Sequence, residues 1–183
     1  MNSIFSYIYS FITDGILYII ILLPVYVLCR LIFLKKSQKN ISSKISIKKE
    51  IICTGFFIYL IMLFTQTFIV NEGNNFIEII PFRIIIQQFQ DIKKQSDGFD
   101  AFTFNVVGNI GVFVPVGMII AYLTDKSLKK TLLYGCILSV FIEVVQIPLN
   151  RTTDIDDVIL NTAGTFIGFH IYNFISKKRT AVK

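Results

Sequence analysis

Runs of about twenty apolar residues recur along this chain, parted by short polar stretches. Each is long enough to cross the ~30 Å hydrocarbon core of a bilayer as a helix. The pattern predicts spans at about 15–34, 51–70, 105–123, 131–149 and 157–175. Asp14 and Gly15 break the first apolar stretch, so 1–13 reads as an interfacial or tilted extension, and Pro24 is expected to kink the helix that follows. The segment 76–89, FIEIIPFRIIIQQF, is apolar but interrupted by Glu78, Pro81 and Arg83. It is short for a span and reads as an interfacial or re-entrant segment. The expected fold is all-α: a polytopic membrane helical bundle of about five transmembrane helices plus that segment.

Composition agrees. Of 183 residues, 54% are hydrophobic, and the mean hydropathy is +0.66, which is too apolar for a soluble domain. No large soluble domain is expected at either end. The N-terminus lacks a basic stretch and a small-residue cleavage site, so a cleaved signal peptide is not expected. Cys29, Cys53 and Cys136 each stand alone in apolar runs, without metal-ligand spacing, and read as small apolar fillers.

A net charge of +6 could suggest nucleic acid or an anionic surface. Here the positive charge sorts by loop. Of 18 Lys and Arg, only Arg83, Lys93, Lys94 and Arg151 fall in segments that alternate with the loops at 35–50 and 124–130 and the tail at 176–183. Basic loops face the cytoplasm. This predicts an N-terminus outside and a C-terminus inside, with no nucleic-acid partner. The loop 35–50 could also touch anionic lipid, although a topology anchor is the simpler reading.

That orientation places the polar residues of three helices at similar depths in the outer half of the bilayer. At 1.5 Å per residue, Asn109 lies about 6 Å below Asn105, and Glu143 and Gln146 lie roughly 5–9 Å below the outer surface. Asp157 starts the last span, with Asn161 one turn further in. Gly135, Ser139, Glu143 and Gln146 share one helix face; Asp157, Asn161, Gly164 and Gly168 share another. Small residues on such a face admit a close neighbour, and Gly108, Gly111 and Pro115 read the same way on the third span.

Glu143 is the only acid buried within a predicted span, away from its ends, and an intramembrane ionisable group marks function by default. It could instead be part of a structural lock held by Arg151, Asn109 or Asn161. The corner between the last two spans, NRTTDIDD, adds Arg151, Asp154, Asp156 and Asp157. Asp154 or Asp156 could cap the last helix, or the carboxylates could gather a hard cation. Arg151 suits a phosphate or carboxylate. The candidate binding set is Asn105, Asn109, Glu143, Gln146, Arg151, Asp154, Asp156, Asp157 and Asn161. Glu143, Arg151 and Asp154 are the candidates for catalysis. No metal and no cofactor is expected. His170 sits towards the other end of the last helix and reads as interfacial. No hydrolase, metalloprotease or nucleotide motif is present.

These motifs carry a resemblance. Asn109 followed by Pro115 and Gly117, then Glu143 and Gln146, then Arg151, Asp154, Asp156, Asp157, Asn161 and Gly164 resemble the VanZ family, as does Ile80-Pro81-Phe82. One departure is Glu78, where an Asn commonly stands. The resemblance divides the chain into an N-terminal helix and basic loop (1–50), a VanZ-like membrane domain (51–176) and a basic tail (177–183). It implies a multi-pass protein of the bacterial cytoplasmic membrane, linked through the family's named member to low-level resistance to the glycopeptide teicoplanin. The partner it suggests is a membrane lipid, a lipid-linked wall precursor or a lipoglycopeptide antibiotic. Two functions remain open: an outer-leaflet binding pocket, and a membrane enzyme on a lipid-linked substrate with Glu143 as general acid or base. Transport is a third, weakened by the lack of a polar path through the inner half.

Overall fold

The computed structural model describes residues 2–40, 46–69, 77–92, 98–149 and 152–181. The chain divides into two compact units, Met1–Val70 and Asn71–Lys183.

The first unit is a helical hairpin of α1 (Asn2–Asn40) and α2 (Ile47–Ile69). α1 runs unbroken through Asp14 and Gly15, where the sequence predicts a break. A single helical glycine costs only about 1 kcal/mol relative to alanine, and Gly15 packs against the Met62 side chain of α2. Tyr26 stacks on Phe57 at 4.2 Å between ring centroids. At the basic end, Arg30 holds Glu50 with two parallel hydrogen bonds, Nε to Oε2 at 2.7 Å and Nη2 to Oε1 at 2.8 Å. This bidentate geometry is the strong form of the pair. α2 coincides with the second predicted span, and its last side chains lie outside the described residues.

The second unit contains β1 (Ile77–Glu78), α3 (Arg83–Asp91), α4 (Gly98–Leu123), α5 (Leu128–Gln146), β2 (Thr153–Asp154) and α6 (Ile155–Ala181). A single 3-10 turn, Ile147–Leu149, ends α5. The helices α4, α5 and α6 supply apolar stretches of spanning length at Asn105–Leu123, Leu128–Leu149 and Ile155–Lys178, and α1 supplies another at Gly15–Lys35. With nine residues, α3 is about 14 Å long and cannot cross the hydrocarbon core. The described part of the 76–89 segment, residues 77–89, is therefore a short strand, a turn and part of a short helix, and does not span.

α4 and α6 pack backbone to backbone. A Cβ at Gly164 would overlap the Ile110 carbonyl, one at Gly168 the Val114 carbonyl, and one at Gly117 the Thr165 carbonyl. Gly135 of α5 meets the Thr165 side chain in the same way. The glycines of α6 thus work as the sequence predicts. On α4, however, the close approach falls to Gly117, and a Cβ at Gly108 or Gly111 would meet nothing within 4 Å. Phe113, Val116, Ile120 and Ala121 of α4 fill the core with Ile142, Leu160 and Phe169. The outward faces of α5 and α6, including Ile137, Val144 and Phe174, are exposed and apolar, as a hydrocarbon solvent requires.

The α4–α5 connection is a tight turn. Asp125 and Lys126 take positive φ, 52° and 63°. Lys126 N–H closes the end of α4 on the Ala121 carbonyl at 2.9 Å, and the Ser127 hydroxyl accepts the Lys130 amide to begin α5. Beneath the turn, buried Thr131 donates to the Ser127 carbonyl and pairs with the Thr124 hydroxyl at 3.1 Å.

Candidate functional site

The buried face of α5 comprises Thr131, Gly135, Ser139, Ile142, Glu143 and Gln146. It includes the whole stripe predicted from helical spacing. Facing it, α6 buries Asp156, Leu160, Asn161, Gly164 and Thr165, with Asp154 buried just before its first turn. The corner from α5 to α6 is pinned at two points. Thr153 donates its hydroxyl to the Glu143 carbonyl at 3.3 Å, and the Asp154 amide donates to Glu143 Oε2 at 3.0 Å. Glu143, 5% exposed, therefore folds the corner back onto α5.

The carboxylates of the corner have separate partners. Asp154 Oδ1 accepts the Asp156 amide at 2.9 Å, which makes Asp154 the N-cap of α6. Asp156 is fully buried and turns away from its own helix. Its Oδ1 accepts the Phe82 amide, and its Oδ2 accepts the Ile84 and Ile85 amides at 3.1 and 3.2 Å. These are the orphan donors at the start of α3, which has no side-chain cap of its own. Of the two aspartates offered as caps for the last helix, one caps it and the other caps α3. Phe82 takes the left-handed conformation, φ 65°, to present these amides.

Two-residue parallel pairing joins the same segments, with Ile77 opposite Thr153 and Glu78 opposite Asp154. Glu78 is 3% exposed; it accepts the Ile80 amide at 3.0 Å and forms an ion pair with Arg83 at 2.9 Å. The position where the sequence departs from the family pattern is thus a buried, paired carboxylate. Burial pushes the Asp154 carboxyl above its usual range. The Asp156 amide opposes this, while the Asp156 and Glu78 carboxylates add to it.

A second polar track runs beside the first. Asn105 donates to Gln88 of α3 at 3.1 Å, Asn109 donates to Asn105 Oδ1 at 2.9 Å, and Asn109 also donates to Asp157 at 2.5 Å. Gln88 was not singled out from the sequence, since a glutamine on a short amphipathic helix reads as its solvated face. Asn161 donates to the Ser139 hydroxyl at 2.9 Å. The Asn109 and Asn161 amides are thus directed to Asp157 and Ser139, and Glu143 takes the Asp154 amide. Arg151 lies outside the described residues.

Among the described residues, two buried acceptors, Gln146 Oε1 and Asn161 Oδ1, have no hydrogen-bond partner. An unsatisfied buried acceptor costs about 1–3 kcal/mol, so each calls for a donor. Gln146 lies one turn beyond Glu143 on the same face, and Asn161 is tied to Ser139, one turn before it. Among the described residues no group of three or more His, Cys, Asp or Glu is placed to hold a metal ion. Cys29, Cys53 and Cys136 are free thiols, and His170 is exposed, edge-on to Phe166 and Phe169.

Among known protein families, the model described as VanZ/LLP1 matches residues 21–176. No curated protein and no solved structure matches the chain.

Proposed function

As the chain belongs to the VanZ/LLP1 family, we propose that it is a protein of the bacterial cytoplasmic membrane whose polar corner faces outside. There it binds a membrane lipid, a lipid-linked wall precursor or a lipoglycopeptide. The single observation that carries this reading is the pair of unpartnered acceptors, Gln146 Oε1 and Asn161 Oδ1, on either side of buried Glu143. A purely structural lock satisfies its own polar groups. The tracks through Asp154, Asp156 and Asp157 do so, and the seam between α5 and α6 leaves acceptors for a ligand to fill. Low-level resistance to teicoplanin is the cellular effect that the resemblance suggests.

The test is binding in detergent. Glu143→Gln removes the charge while keeping an acceptor for the Asp154 amide, and it is expected to weaken lipid or lipoglycopeptide binding roughly tenfold, or about 1.4 kcal/mol. Unchanged affinity in a variant of unchanged melting temperature overturns the proposal.

A further inference from the structure

The seam between α5 and α6 has a definite chemical polarity. Going inward it presents Gln146 Oε1, the Glu143 carboxylate and Asn161 Oδ1, all hydrogen-bond acceptors. Acids outnumber bases around it. The corner and the strand paired with it carry Glu78, Glu143, Asp154, Asp156 and Asp157. The bases in these segments of the sequence are Arg83, paired with Glu78, and Arg151. Acids remain in excess even with both arginines engaged. The Asp154 carboxyl is held above its usual range chiefly by burial, and the Asp156 and Glu78 carboxylates add to it.

Three ligand chemistries fit poorly. An anionic group meets a field of its own sign. A bare divalent cation finds no set of three ligands among the described residues. A quaternary ammonium brings charge but has no N–H to give the unpartnered carbonyls. What remains is a cation with several N–H donors, and of these a primary ammonium is the compact one that lipid headgroups carry. Exposed Ile77, Ile79 and Ile80 from β1 and the turn after it, with Ile147 beside Gln146, supply apolar surface for attached acyl chains.

We propose that the seam recognises a primary ammonium carried on a lipid headgroup, an N–H of which fills the acceptor of Gln146 beside Glu143. This rests on the binding role proposed above and names the ligand class. Such a site discriminates amine-bearing lipids from choline lipids of equal charge.

The experiment uses the full chain in mixed micelles with phosphatidylethanolamine, its mono- and dimethyl derivatives, phosphatidylcholine and phosphatidylglycerol, retention being read by native mass spectrometry. The expected result is retention that falls with each added methyl, with at least a tenfold preference for ethanolamine over choline and glycerol headgroups. Gln146→Leu is expected to flatten that series without lowering the melting temperature, because it removes a buried acceptor that no described residue satisfies. The methyl series on the unaltered protein stands by itself should the variant fold badly. Equal retention of all five lipids, or preference for the choline or glycerol lipid, overturns the ammonium assignment and leaves the binding role intact. Retention of no lipid overturns both. Soluble glycerophosphoethanolamine at millimolar concentration is expected not to displace the lipid; displacement overturns the lipid source in favour of a free amine.

Discussion

The carboxylate of Asp156 collects the amides of Phe82, Ile84 and Ile85, and no neighbour in the chain signals that task. Hydrogen bonds to a charged group are worth about 1.5–3 kcal/mol. Asp156→Ala is expected to destabilise the second unit by about 2–3 kcal/mol, with amide exchange accelerated first at Ile84 and Ile85. Asp156→Asn, which keeps one acceptor oxygen, should cost less. The sequence reads the DIDD run as helix capping, and that is right for Asp154. It misses Asp156 because the groups being capped are backbone amides, which leave no mark in side-chain pattern. Titration offers a second check. The folded pKa of Asp154 is raised, so its stabilising contribution is complete below the unfolded value of about 3.9 and is lost as pH rises through the folded value. Glu50 is opposite: its hydrogen bonds from Arg30 lower it, against the opposing effect of burial. Its contribution is present above the unfolded value of about 4.3 and is lost as pH falls through the folded one. Melting curves across the acid range should therefore flatten on the alkaline side in Asp154→Asn and on the acid side in Glu50→Gln.

At the scale of the element, the glycines sort into two kinds. Gly117→Ala, Gly164→Ala and Gly168→Ala each drive a methyl into a facing backbone carbonyl or its neighbours. Each is expected to lower stability by about 1–3 kcal/mol or more, since backbone yields less readily than side chain. Gly108→Ala and Gly111→Ala meet open space and should be neutral or stabilising by up to about 1 kcal/mol. Thermal unfolding of the five variants in one detergent separates the sets. The helices themselves are legible as apolar runs, and helical spacing identifies the buried face of α5. The choice of Gly117 over Gly108 and Gly111 is not legible, because all lie on one apolar helix and only the partner decides which face is closed. The β1–β2 pairing is likewise invisible, two residues being too few to show alternation. In the hairpin, a double-mutant cycle on Arg30 and Glu50 is expected to return a coupling of about 1 kcal/mol, reduced by salt; zero coupling would refute their bidentate pairing.

For the molecule as a whole, the charge pattern predicts an orientation that single cysteines can test once Cys29, Cys53 and Cys136 are replaced. Lys126→Cys, on the α4–α5 turn, should react only when reagent enters from the cytoplasmic side, and Thr152→Cys, before α6, only from outside. Labelling in the reverse sense would invert the membrane and move the polar corner to the cytoplasm. Apolar length makes the membrane helices legible in the sequence, and loop charge adds the orientation that this labelling tests.

The order in which the chain is made bears on its corner. The bonds from Phe82, Ile84 and Ile85 to Asp156 span 71 to 74 residues. At a synthesis rate of about 5–20 residues per second, the start of α3 emerges several seconds before its cap exists. Until the last helix arrives, those amides must be borrowed by water or by another protein at the membrane. A nascent chain stalled just short of Asp156 should therefore be cut by protease near residue 82, and one released after α6 should resist.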